Sequence, residues 1–198
     1  MQKGELTHKA ILDEAVRIAS TAGLDGLTIG SLAARTSLSK SGLFTHFGSK
    51  QSLQLEMLKH EVDRFLRIVM MPSLDAERGE PRLRELFDRW LVWTSDALPG
   101  GCLFITAGIE LDDQPGPVRD YLVSRQVDWL DVVAQFVRGG IAEGHLHEDA
   151  DPEQFAYDLY SVILGYHHAK RLLGDDAAEV KARRSFAALL AAAGHSTS

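Results

Sequence analysis

Between residues 39 and 50 the chain reads Ser39-Lys40-Ser41-Gly42-Leu43-Phe44-Thr45-His46-Phe47-Gly48-Ser49-Lys50. On a short helix, Ser39, Ser41, Gly42 and Thr45 are small enough to let the backbone approach a nucleic-acid groove. Lys40 and His46 offer hydrogen-bond donors to phosphates or base edges. Leu43 and Phe47 are expected to face inward. Lys50 falls in the first turn of the next helix, where free backbone N–H groups and the helix dipole also attract a phosphate. Taken alone, the stretch also fits an ordinary helical corner with serine caps and solvated lysines.

Other chemistry-bearing residues are fewer. Cys102 follows Pro99-Gly100-Gly101 at the start of an expected helix, a setting that can lower a thiol pKa and favour a reactive thiolate. The alternative is plain packing, since cysteine is among the most buried residue types. His145, His147, Glu148, Asp149 and Asp151 lie in a polar connection before Pro152, which reads as a solvated loop and N-cap. His167 and His168 point about 100° apart on a helix and cannot readily share one ion. No Ser-His-Asp or Cys-His arrangement, phosphate-cradling glycine loop or metal motif is found, so no catalytic residue, metal or cofactor is expected.

The elements that position these residues are helical. Apolar residues from Ile11 to Ala22 recur at spacings of three and four, which predicts a helix over about 7–22, capped by Thr7 and stopped by Gly23. Thr28 caps a short helix bearing Ile29, Leu32 and Ala33, and Ser39 caps another that closes at Gly48. A longer helix runs from Ser49 to about Met71, where Pro72 is expected to end it. Further helices are expected at about 81–98, 102–111, 116–142, 152–173 and 176–193. These nine helices, with no alternating strand pattern, make the fold class all-α.

Composition sets the frame. The chain has 198 residues, 45% hydrophobic and 25% charged, as in an ordinary globular protein. No segment approaches the roughly 20 apolar residues of a membrane span. The polar N-terminus carries no secretory signal pattern and the single cysteine excludes an internal disulfide, so a cytoplasmic location without membrane association is expected. The net charge of −7 speaks at first against a nucleic-acid partner. It is unevenly spread, however: residues 1–50 hold six basic and four acidic side chains, giving +2, and the rest sums to −9. Such asymmetry fits a nucleic-acid-binding segment beside a domain with another task.

Leu27-Thr28-Ile29, Leu32-Ala33 and the run from Leu38 to Lys50 together resemble the TetR family signature, over about residues 7–60. The resemblance implies a helix-turn-helix DNA-binding domain over 5–65 and a ligand-binding and dimerisation domain over 66–198. It implies that Ser39 to His46 form the recognition helix and that Thr28 and Lys50 hold phosphates of double-stranded operator DNA. Phe44 stands where the family usually has a phosphate-bonding tyrosine, and Ser37 where a glycine commonly makes the turn. The resemblance also implies a cavity for a small-molecule effector among the middle helices. The candidate lining is Phe65, Phe87, Trp90, Trp93, Cys102, Thr106, Trp129, Tyr160 and His167. A homodimer is expected through Phe155, Ala156, Leu159, Ile163 and Tyr166 on one helix and Phe186, Ala187, Leu190 and Ala191 on the next, as a four-helix bundle. The expected activity is that of a regulator, most simply a repressor released by a mostly apolar ligand. An interaction module without DNA binding and an all-helical enzyme are the rival classes.

Overall fold

A computed structural model describes residues 3–194, with side chains from residue 8 onward. Ten α-helices run in order: α1 Lys3–Gly26, α2 Ile29–Thr36, α3 Lys40–Phe47, α4 Lys50–Phe65, α5 Met71–Asp75, α6 Glu80–Asp96, α7 Leu103–Leu111, α8 Pro117–Ala142, α9 Pro152–Arg171 and α10 Ala178–Ala193. A π-helical turn, Leu66–Met70, joins α4 to α5, and no β-strand occurs among the described residues.

Most boundaries follow local chemistry. Thr28 caps α2 by accepting from the Ser31 N–H, and Ser31 reciprocates by accepting from the Thr28 N–H. Ser39 caps α3 through the Gly42 N–H at 3.0 Å, Ser49 caps α4 through the Ser52 N–H, and Asp151 caps α9 through the Gln154 N–H. Each such bond satisfies an otherwise orphaned donor in the first turn.

Three expectations need correction. The first helix begins at Lys3, so Thr7 lies within it rather than capping it; the Thr7 side chain lies outside the described residues. Gly23 does break regular geometry, at φ +75°, but the helical path resumes to Gly26. Pro72 does not end the long helix. It sits in the first turn of α5, where its missing N–H costs no helical bond. Next to it the buried Ser73 hydroxyl donates to the Val69 carbonyl at 2.6 Å.

The chain folds into two compact units. Unit 1 comprises Met1–Phe65 with Leu98–Ser124, and unit 2 comprises Leu66–Ala97 with Arg125–Ser198. α7 and the start of α8 pack with the N-terminal helices. Leu103, Ala107, Leu111, Val118 and Leu122 share one core with Ala15, Ala19, Leu32, Leu43 and Met57. The packing is close: a Cβ on Gly100 would fall 1.6 Å from the Ser20 carbonyl oxygen, and the Gly100 N–H donates to the Ser20 hydroxyl at 3.2 Å. Unit 2 buries Leu83, Leu86, Phe87, Trp90 and Trp93 of α6, Val133 and Val137 of α8, and inward residues of α9 and α10.

Candidate nucleic-acid interface and effector site

The interface is built on the α2–α3 corner. α2 ends at Ser37, whose φ of 57° and ψ of 22° place it in the left-handed region, which glycine enters more easily because it has no Cβ. The chain then turns into α3, which is anchored by Leu43 and Phe47, both buried. Thr28, Ser39, Lys40, Ser41, Phe44, Thr45 and His46 are exposed, and Gly42 is half-buried. α3 thus turns one apolar edge into the core and presents a polar face with room for close approach.

Some of these side chains have local partners. The Ser39 and Ser41 hydroxyls lie 3.1 Å apart, and the Thr45 hydroxyl donates to the Ser41 carbonyl at 2.9 Å. The His46 ring lies 6.0 Å from that of His8, which itself sits 5.0 Å from Phe47 and 2.8 Å from a Glu56 carboxylate oxygen. Phe44 is 59% exposed, unusual for a phenylalanine and consistent with a position that serves a surface rather than the core. Lys50 places its ammonium 3.1 Å from both the carbonyl and a carboxylate oxygen of Asp25.

The nominated effector residues divide between the units. In unit 1, Phe65 meets Phe104 edge-on at 6.1 Å, Cys102 is buried, and the Thr106 hydroxyl donates to the Cys102 carbonyl at 3.2 Å. Burial of Cys102 favours packing over a reactive thiolate. In unit 2, Phe87 stacks on Phe186 at 4.0 Å, so its ring is taken up by the core. Trp90 lies edge-to-face on Trp129 at 4.6 Å and parallel to Tyr160 at 6.0 Å, and the Tyr160 hydroxyl is 3.4 Å from the Gln126 side-chain oxygen. Trp93 is fully buried.

Two polar atoms in unit 2 stand out: the Thr94 hydroxyl and His167 Nε2 are buried without a hydrogen-bond partner among the described residues. Burial, with Arg171 and His168 adding to it, holds the His167 pKa below its usual value. The ring is therefore neutral at pH 7, able to donate or accept. Sequence reasoning missed Thr94, because a helical threonine ordinarily gives its hydroxyl to a carbonyl one turn back.

The dimer stripe requires a correction. Phe155, Ala156, Leu159, Ile163 and Tyr166, with Phe186 and Leu190, are buried inside their own protomer. A side chain already covered by its own chain has no surface left for a partner. Of the nominated set only Ala187 and Ala191 are exposed. The same helices expose another stripe, with Tyr157, Ser161, Leu164 and Gly165 on α9 and Arg184, Ala187, Ala188 and Ala191 on α10. Beside it runs a groove of about 410 Å³ lined by Ser161, Gly165, Tyr166, Ala169, Ala182 and Ser185, among others.

Among the described residues no helix is long and apolar enough to cross a membrane, and no group of three His, Cys, Asp or Glu side chains converges to hold a metal. His145 instead accepts from the Glu80 N–H at 3.2 Å, at the start of α6.

A capped helix-turn-helix with an exposed reading face, followed by an aromatic helical unit, defines a DNA-binding transcriptional regulator. Comparison with known families agrees: residues 11–57 match the bacterial regulatory proteins of the tetR family, and residues 79–186 match the tetracyclin repressor-like C-terminal domain. The chain belongs to the TetR family. Solved structures share its fold. A TetR regulator from Chloroflexus aurantiacus is 22% identical with a TM-score of 0.85, covering 96% of this chain and 95% of its own. A TetR-family regulator from Cytophaga hutchinsonii is 18% identical with a TM-score of 0.85, covering 98% of both. The regulator AibR, in complex with isovaleryl coenzyme A and operator DNA, is 19% identical with a TM-score of 0.71, covering 95% of this chain and 98% of its own. No curated protein sequence matches the chain.

Proposed function

We propose that this chain acts in the cytoplasm as a homodimeric repressor that binds a palindromic operator through α3 and is released by a small, mostly apolar, uncharged ligand. It acts by binding rather than by catalysis. The observation that carries the reading is the α3 face, where Lys40, Ser41, Thr45 and His46 are exposed together on a helix locked at both ends. Thr28 and Lys50 flank it as phosphate ligands, which set position but not sequence. AibR, solved with both operator DNA and a ligand, supports a regulator of the same logic.

Dimerisation uses the exposed stripe of α9 and α10, where Gly165, Ala187, Ala188 and Ala191 allow close helix approach. The two-fold axis then sets the heads about 34–36 Å apart, or a multiple of it. The effector sits in unit 2 against Trp90, Trp129 and Tyr160, with the Thr94 hydroxyl and His167 Nε2 supplying its polar contacts. Both groups are neutral hydrogen-bonding partners, which suits an uncharged ligand. Ligand favours a head spacing that no longer matches the operator.

An electrophoretic shift on the DNA upstream of the chain's own coding region tests the reading. A discrete complex at nanomolar protein, lost when the half-sites are scrambled, is the expected result. Absence of any shift would instead favour an interaction module without DNA binding.

A further inference from the structure

The turn that hands α1 to α2 is tied from several sides. Leu24 and Asp25 donate their N–H groups to the two carboxylate oxygens of Glu110, each at 2.7 Å. The Leu24 carbonyl accepts from the Gln54 side-chain amide at 3.0 Å, and the Gly26 carbonyl accepts from the Ser31 hydroxyl at 3.1 Å. The Asp25 carbonyl and carboxylate together take the Lys50 ammonium. Gly23 opens the turn at φ +75°, and a Cβ there would stand 2.9 Å from Glu110 Oε2. The carboxylate thus fills the space that any larger residue at 23 would need.

We propose that Glu110 is a positioning residue for DNA binding: by ordering the 23–26 turn it fixes the Lys50 ammonium and the start of α2. An ammonium has three donors. Two are spent on Asp25, which holds the third in place for a phosphate without a search over lysine rotamers. Thr28, the other phosphate ligand, follows the same turn by two residues. Glu110 itself comes from α7, more than 80 residues away in sequence, so α7 and the DNA face share one hydrogen-bonded joint. The inference rests on the reading of Lys50 as a phosphate ligand.

Simple charge counting predicts the opposite of positioning, which makes the idea testable. Removing a carboxylate from an acidic protein should strengthen its attraction to DNA, whereas loss of positioning should weaken it. The full chain is titrated by fluorescence anisotropy against a mixed-sequence duplex of about 30 base pairs at several salt concentrations, since phosphate contacts are independent of sequence. Glu110→Ala and Glu110→Gln should each bind several-fold more weakly, with a salt slope shallower by about one unit. Glu110→Ala combined with Lys50→Ala should be no weaker than Lys50→Ala alone. Asp113→Asn, an exposed acid nearby, should bind slightly more tightly, and Ala107→Gly should lower the melting temperature while leaving the slope intact. Amide exchange should show Leu24 and Asp25 protected in the parent and released in Glu110→Ala. Equal or tighter binding by the Glu110 variants with a full slope, additive losses in the double variant, or unchanged exchange at 24 and 25 would each overturn the proposal. A parent chain that does not bind the duplex removes the DNA reading and the proposal together, whereas a parent that binds beside an unaffected Glu110→Ala removes the proposal alone.

Discussion

Phe44→Tyr adds one hydroxyl at the point of the DNA face where the TetR signature usually carries one. The ring is already 59% exposed, so the added oxygen is not buried and stability should stay within about 0.5 kcal/mol of the parent. A hydroxyl that donates to a phosphate while competing with water is worth about 1 kcal/mol. The homodimer carries two heads, so the operator complex gains about 2 kcal/mol, or roughly 30-fold in affinity. The hydroxyl is neutral and displaces no counterion, so the salt dependence should keep its slope and the binding curves should shift in parallel. Anisotropy titrations on upstream DNA between low and moderate salt read both quantities. Unchanged affinity would mean that position 44 does not reach the backbone of the duplex. A changed slope would mean that the variant had rearranged the lysine contacts, and either result refutes the assignment of α3 as placed.

Ser37→Gly should raise stability by roughly 0.5 kcal/mol, because relief of a left-handed serine outweighs the extra freedom of glycine in the unfolded chain. Calorimetry should show a melting temperature higher by about 1–2 °C; a lower one would mean that the serine side chain stabilises the turn. Ala188→Glu, exposed on α10, should give a folded monomer in sedimentation with weakened operator binding, and a persistent dimer would move the interface elsewhere. Leu159→Ala, in contrast, should cost about 2–5 kcal/mol of fold stability, since Leu159 is buried within the protomer. His167 has its folded pKa lowered, so the unfolded chain takes up the proton first and stability should fall as pH drops through its ordinary range near 6.5. His167→Phe should flatten that part of the urea-unfolding profile; an identical profile would show that His167 is not the group responsible.

What the sequence revealed and what it hid divide by range. Thr28, Ser39 and Asp151 were readable as caps because each acts on an amide three residues away, and the signature from Leu38 to Lys50 lies on one continuous stretch. Pro72 misled because a proline just inside a helix start and one just past a helix end look alike in a string of letters. The α9 stripe misled for a different reason. Periodicity identifies a face that is covered, but Leu159 and Ile163 read the same whether the cover is their own chain or a second copy. Glu110 left no signal, since its partners Leu24 and Asp25 are backbone amides that any residue type could supply.

The threading of Leu98–Ser124 back into the N-terminal core limits how this regulator can be taken apart and recombined. A head excised at residue 65 would lose Leu103, Ala107 and Leu111 from its hydrophobic core, and with them the packing of α7 against α1. It would also lose the Gly100 backbone that rests on Ser20. Chimeras that graft a new DNA specificity onto this sensor should therefore exchange the surface of α3 alone, or carry 98–124 along with the head. Genetic shuffling faces the same constraint, since a crossover near residue 65 separates two halves of one hydrophobic core.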